Sequence, residues 1–263
     1  MNMSLEKTAP MTIQDRLEPL SEGRFRFACH PKVPCFTECC RDLRLQLTPY
    51  DIIRMKNQLG MTSGDFLEEY AEIRPEEQGT LPMAYLRMAN NERKTCPFVS
   101  PPGCRIYEGR PSACRIYPVA RASRVHPTHD AVQEHYYLLR EEHCRGFSEP
   151  REWNVRDWIS DQGLDSYHEM NNPWMEIVTH PAIRRAQGFT LGQQQMFFLA
   201  AYDLDRFRSF VLGGRFLQLF DLPEEEIEAI RVGDESLLRL AFRWLSFTFL
   251  KKPVLNVRRT GSP

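Results

Sequence analysis

The chemistry in this chain starts from sulfur. All eight of its cysteines fall between positions 29 and 144: Cys29, Cys35, Cys39, Cys40, Cys96, Cys104, Cys114 and Cys144. A lone cysteine is a small hydrophobe, but four of these lie within a dozen residues, and crowded thiolates invite oxidation unless something occupies them. In a reducing compartment, soft-metal ligation or redox chemistry explains such crowding better than structural bridges. A tetrahedral zinc or a four-iron cluster needs four thiolates converging from at least two chain segments, and the sequence supplies those segments. Adjacent residues of an extended chain point to opposite sides, so Cys39 and Cys40 share one metal only through a turn, or else serve two centres. Eight thiols permit two four-cysteine sites, and equally one site with a reserve redox pair.

The spacing excludes several assignments. Neither half of the cysteine set contains the paired C-x2-C knuckles of a zinc ribbon, and neither the bacterial ferredoxin run nor the C-x3-C-x2-C of a radical enzyme is present. No G-x-S-x-G elbow, glycine-rich phosphate loop or H-E-x-x-H helix exists, so no catalytic residue is assigned. His30 and His143 carry imidazoles beside Cys29 and Cys144, but the neighbour of a ligand usually faces away from the metal. The unit Cys-Arg-Ile-Tyr occurs twice, ten residues apart, within a stretch rich in arginine: Arg105, Arg110, Arg115, Arg121 and Arg124, opposed by Glu108. Guanidiniums there either offset an anionic thiolate centre or bind an anionic ligand beside it, or they form a solvated basic face. Phe98, Tyr107 and Tyr117 are expected to pack around the metal loops.

These side chains need elements to hold them. The alternation Arg24-Phe25-Arg26-Phe27 predicts a short strand leading to Cys29, and Pro31 and Pro34 place the first cysteines on an irregular loop. Thr48 as N-cap, Pro49 at the first helical position and Gly60 as the stop define a helix, with a second starting near Ser63. Strands are expected over Pro82–Met88 and Glu134–Arg140, and Pro111 begins a helical turn carrying Cys114 and ending at Pro118. Beyond about residue 150 the pattern turns helical: Asn154 caps a segment with Trp158, Thr190 caps Leu191–Tyr202, and Pro223–Ile230 and Glu235–Leu250 follow. The resulting expectation is an α+β, mostly α chain. It has an N-terminal arm (1–22), an irregular cysteine-rich metal-binding module with a few short strands (23–150) and a helical C-terminal region packed on it (151–263).

Composition agrees with a globular protein: 42% hydrophobic and 26% charged residues over 263 positions. Thirty-four basic against 35 acidic side chains leave a formal charge of -1, which removes the general attraction on which nucleic-acid binders rely. The segment Met1–Leu20 mixes charges with Pro10 and Pro19, and the longest apolar run, near Ala241–Leu250, contains Arg243. A cytoplasmic protein without nucleic-acid or membrane partners is therefore expected. The helical half offers a surface for a protein partner.

The cysteine region resembles a known family. Phe27-x-Cys29, the pair Cys39-Cys40, Cys96-Pro-Phe, the run Gly103-Cys104-x-Ile-Tyr-x-x-Arg110-Pro111-x-x-Cys114-Arg115-x-Tyr-Pro118 and the last Cys144 are similar to the YkgJ-type cysteine-cluster family, over roughly residues 25–147. The first motif departs from the family's C-x2-C-x2-C-C and reads C-x5-C-x3-C-C, which bears on whether Cys29 or Cys35 ligates. The resemblance implies eight metal-ligating cysteines and a zinc- or iron-chelating function. The leading expectation is an iron-sulfur cluster, in its 4Fe-4S form, or Zn2+, held by cysteine thiolates in a redox or accessory role. Kinship with flagellin lysine methylases implies an alternative, an iron-sulfur protein lysine N-methyltransferase that uses S-adenosylmethionine, in which Arg105, Arg110 and Arg115 would hold the cofactor's carboxylate. A metal chaperone or maturation factor is a further alternative, set apart by labile binding.

Overall fold

The computed structural model describes residues 16–258, apart from residue 21 and residues 76–79, 126–131, 185 and 187. Residues 1–15 of the expected N-terminal arm thus lie outside the described residues. The chain is α+β with helix predominating, and most of the helices follow residue 154 as expected. It forms two compact units: the described residues up to Cys39 together with Ile116–Gln162, and Cys40–Arg115 together with the residues from Gly163 onward.

In the first unit, Leu17–Pro19, Val132–Leu139 and Val119–Val125 make an antiparallel sheet with the middle segment central, in the register Leu17↔Leu139 and Val119↔Leu138. The strand expected at 24–27 is present as Arg24–Arg26 and pairs with Glu152–Asn154, Phe25 opposite Trp153. Asn154 then caps the helix Val155–Asp161 by accepting the Asp157 amide at 2.9 Å. Alternation turns Phe25, Phe27, Val119 and Leu138 inward against Trp158. The indole N–H of Trp158 donates to the Ile116 carbonyl and that of Trp153 to the Phe27 carbonyl, each at 2.9 Å. Burying such rings contributes about 2–3 kcal/mol each, provided their N–H groups find partners.

In the second unit, Pro49–Leu59 is the helix that Thr48 and Gly60 announce. The Thr48 hydroxyl accepts the Asp51 amide, the Asp51 carboxylate accepts the Thr48 amide, and Gly60 closes the last turn with φ 67°. The second helix, Ser63–Tyr70, leads straight into Ala71–Pro75, which pairs with Pro82–Leu86, and Gln46–Leu47 completes that sheet. Asp165–Thr179, Leu191–Ala201, Leu204–Gly213, Glu224–Val232 and Asp234–Leu250 pack as a bundle around Asp234–Leu250. Trp174, Phe197, Tyr202 and Phe242 meet on one side of that helix, and Phe207, Phe216 and Trp244 on another. Lys56, only 5% exposed, places Nζ 2.9 Å from Asp234, which also holds Arg208. Paired this way the buried ammonium is tolerated, and the carboxylate sits favourably in the first turn of its helix. No helix among the described residues is long and apolar enough to cross a membrane.

Candidate metal centre

All eight cysteines are thiols outside any disulfide. Cys29 and Cys114 are exposed and the other six half-buried. They divide evenly, with Cys29, Cys35, Cys39 and Cys144 in the first unit and Cys40, Cys96, Cys104 and Cys114 in the second.

In the first unit the loops meet through aromatic packing. Phe27, 2% exposed, lies edge-on to Tyr117, Phe147 and Trp158 at 5.4 to 5.8 Å between ring centroids. Its backbone runs so close to Gly146 that a Cβ there would lie 2.6 Å from the Phe27 ring and 2.7 Å from the Ala28 carbonyl oxygen. The Ala28 amide donates to the Gly146 carbonyl at 3.1 Å, which brings the residue before Cys29 alongside the segment after Cys144. From there Val33, Phe36 and Glu38 each bond back three residues, winding Cys35 and Cys39 through consecutive turns, with Thr37 in the left-handed region at φ 68°. The Cys35 sulfur accepts the Arg145 amide at 3.0 Å and lies close enough to Cys144 to act on its thiol.

Burial pushes the Cys144 thiol up, opposed by Tyr117 and the Gly146 amide. Burial pushes the Tyr117 hydroxyl up as well, with Cys144, Glu141 and Cys39 adding to it, so the hydroxyl keeps its proton. That hydroxyl lies beside the Cys144 sulfur without a well-formed hydrogen bond. A buried donor in this position lacks a strong acceptor, and a thiolate or cluster sulfide supplies one. His30 is occupied elsewhere: Nε2 faces Glu149 and Nδ1 accepts the Lys32 amide, both at 3.3 Å. His143 Nε2 faces Glu141 at 3.6 Å.

In the second unit the Cys96 amide donates to the Cys40 carbonyl at 2.8 Å, beside the bridge between Arg41 and Thr95. Three residues on, the strands Val99–Ser100 and Gly103–Cys104 form a hairpin with Val99 opposite Cys104, and the Val99 amide returns to the Cys96 carbonyl. Gly103 at φ 126° makes the turn available only to glycine. The single turn Tyr107–Gly109 then packs on the helix Pro49–Leu59, where a Cβ at Gly109 would stand 2.8 Å from the Arg54 carbonyl oxygen. The expected turn around Cys114 is the helix Ser112–Ile116, seated on Asp51.

The arginines clamp this stretch. Arg105 donates to the Pro97 carbonyl at 2.6 Å, Arg110 to Tyr107 at 2.9 Å and Arg115 to Glu108. Arg110 and Arg115 are each 7% exposed, and Arg110 stacks on Tyr107 with 3.6 Å to the ring centroid. Burial lowers the Arg110 pKa, whereas the nearby Cys114 and Cys104 raise it. Burial pushes the Cys104 thiol up, against the Ile106 amide, Arg110 and Arg105. The guanidiniums therefore combine two jobs, closing backbone carbonyls and placing positive charge beside two sulfurs. Phe98 is 2% exposed within this unit, Tyr117 packs on Phe27 in the first unit, and Tyr107 is 55% exposed and lies against Arg110. Arg121 pairs with Glu134 across the sheet of the first unit. Tyr117 in contact with sulfur and Asp51 beneath the Cys114 turn carry no sequence motif, because both act through partners distant in the chain.

Among the described residues, no three His, Cys, Asp or Glu side chains stand together in a metal-ligating arrangement. Backbone bonds bring several of the loops bearing these thiols alongside one another. The donor set fits such an ion: reduced thiols on loops, an N–H already directed at one sulfur, a buried hydroxyl beside another and guanidiniums beside two more. Two compact units carrying thiol-bearing loops define a cysteine-cluster protein. Residues 28–145 match the model of the CxxCxxCC family, described as "Putative zinc- or iron-chelating domain". No curated protein and no solved structure matches the chain significantly.

Proposed function

We propose that this chain binds iron as an iron-sulfur cluster through its cysteine thiolates and serves a cytoplasmic redox or accessory role, with the helical bundle as support and partner surface. The observation that carries this reading is the Arg145 amide directed at the Cys35 sulfur at 3.0 Å. Backbone N–H groups aimed at cysteine sulfur are a lever by which proteins stabilise and tune such clusters. The arginines beside Cys104 and Cys114 support it further, since thiolate-ligated clusters are anionic and cationic neighbours offset that charge. When bound, the cluster supplies one-electron chemistry. Cys35 and Cys144 hold sulfur donors, Arg145 and Tyr117 direct hydrogens at them, and Arg105 and Arg110 place positive charge beside Cys104. Anaerobic purification followed by visible absorption and metal analysis tests the proposal. A brown protein containing iron and acid-labile sulfide supports it, and a colourless protein carrying zinc replaces the cluster with a structural ion.

A further inference from the structure

We infer that Cys35 and Cys144 form a redox-sensitive pair: in the metal-free chain hydrogen peroxide closes them into a disulfide, a dithiol reductant reopens it, and the closed form gates metal loading. The gate rests on the reading that the thiols bind metal, because a disulfide withdraws two thiolates from any such centre. The pairing itself stands apart from that reading.

What carries it is the meeting of two distant segments at a sulfur atom. The Arg145 amide donates to Sγ of Cys35, 110 positions away in the chain, at 3.0 Å. An amide nitrogen follows the preceding Cα at about 2.4 Å, so this sulfur stands within about 5.4 Å of the Cys144 Cα. The two thiols lie close enough to act on one another, a separation that rotation of the side chains closes without moving either backbone. Both segments are held by contacts other than sulfur. On one side Val33, 3% exposed, anchors the turns in which Val33, Phe36 and Glu38 bond back to His30, Val33 and Cys35. On the other, Cys144 bonds back to Glu141, Ser148 and Glu149 bond back to Arg145 and Gly146, and Gly146 lies against Phe27. Thiols fixed in one place react as an intramolecular pair at high effective concentration. Both residues are half-buried, which leaves them open to an oxidant as small as hydrogen peroxide.

One sulfur attacks a peroxide oxygen, the O–O bond breaks, and water departs with the thiol's proton, leaving a sulfenic acid. The second thiol attacks that sulfur, its proton leaves with the hydroxyl as another water, and an S–S bond replaces the S–O bond. The pair is oxidised by two electrons and the peroxide is reduced to water.

The test uses the full chain, stripped of metal by a chelator and kept reduced under nitrogen. Hydrogen peroxide equimolar with the protein is added, remaining thiols are alkylated, and linked peptides are mapped by mass spectrometry. The Cys35–Cys144 link should dominate, with the chain lighter by two hydrogens, and dithiothreitol should restore both thiols. A different dominant pair, links scattered over many cysteines, or survival of both thiols overturns the pairing. Cys35→Ser should abolish the link, and a disulfide to Cys144 formed in undiminished yield in that variant also overturns it. Zinc is then offered, without added thiol, to the reduced and the oxidised chain as a probe of available thiolates. The oxidised chain should bind less zinc than the reduced one and recover after dithiothreitol treatment and its removal. Equal uptake by both overturns the gate, and the peptide map still decides the pairing. A reduced chain that takes up neither zinc nor iron sinks the metal reading and the gate with it, again without deciding the pairing, which the map alone settles.

Discussion

The amide of Ser112 donates to Oδ1 of Asp51 at 2.7 Å, and the Ser112 hydroxyl meets Oδ2 of the same carboxylate at 3.2 Å. Asp51 is 1% exposed and also accepts the Thr48 amide, so one carboxylate begins both the helix Pro49–Leu59 and the turn that carries Cys114. Burial pushes the Asp51 carboxyl up, and the Ser112 and Thr48 donors pull it back. Replacing Asp51 by alanine removes a cap and strands buried donors, at a cost of about 2–4 kcal/mol. Urea denaturation checks that loss, and metal analysis of the folded fraction should show less metal held near Cys114.

Tyr117→Phe should act oppositely in the two forms of the protein. Without metal, removing a buried hydroxyl that has no good partner is neutral or stabilising by about 1 kcal/mol. With metal, the same change removes a donor beside the Cys144 sulfur and should weaken metal retention. Denaturation of the metal-free form and chelator competition on the loaded form check the two signs.

Gly146→Val should destabilise by about 1–3 kcal/mol through overpacking, since even a Cβ meets the Phe27 ring and the Ala28 carbonyl. The near-ultraviolet circular dichroism of the aromatic cluster should weaken together with metal content. An unaltered aromatic spectrum would show that the crossing tolerates bulk.

Cys114→Ala should lose metal and destabilise the cysteine-bearing loops, because structural metal commonly contributes on the order of 10 kcal/mol to folding. Metal content equal to that of the unaltered protein would remove Cys114 from the ligands.

Asp205 sets an acid limit. Burial pushes its carboxyl up, but the Ser63 amide at 2.6 Å, Lys56 at 3.6 Å and Arg208 outweigh that and hold it below the ordinary carboxylate range. A depressed folded pKa means the contribution is fully present above the unfolded value and disappears as pH falls through the folded one. Asp205→Asn should therefore be less stable than the parent at neutral pH, with the gap closing below about pH 4. Parallel denaturation curves from pH 7 to pH 3 measure it.

Much of the scaffold was legible because local chemistry dictates it. Thr48 with Asp51, Thr190 with Gln193, and Asn154 with Asp157 are caps that work within four residues, and the helices they open stand where the caps place them. The alternating run ending at Phe27 is a strand for the same reason. Asp165–Thr179 escaped notice because Pro173 and the pair Asn171-Asn172 argue against helix, and burial of Tyr167, Met170, Trp174 and Ile177 overrides them. Ala71–Pro75 follows the helix Ser63–Tyr70 without a turn residue to announce it. The compact units interleave along the chain, a grouping set by contacts between residues distant in sequence. Which cysteines are neighbours was hidden for a related reason. Cys39 and Cys40 are adjacent in the chain, yet what seats each is a backbone or side-chain partner tens of residues away, such as Cys96 or Tyr117.

Gly146 has one more implication. Because a residue without a side chain lets the Phe27 ring come close to the main chain there, the segments bearing Cys29 and Cys144 are joined by ring burial, not by sulfur. The address exists before its cargo arrives. Loading in this unit is then a local capture event, governed by thiol rotation and proton release, and its speed should track the collision rate with the ion's donor, not the time the polypeptide takes to fold.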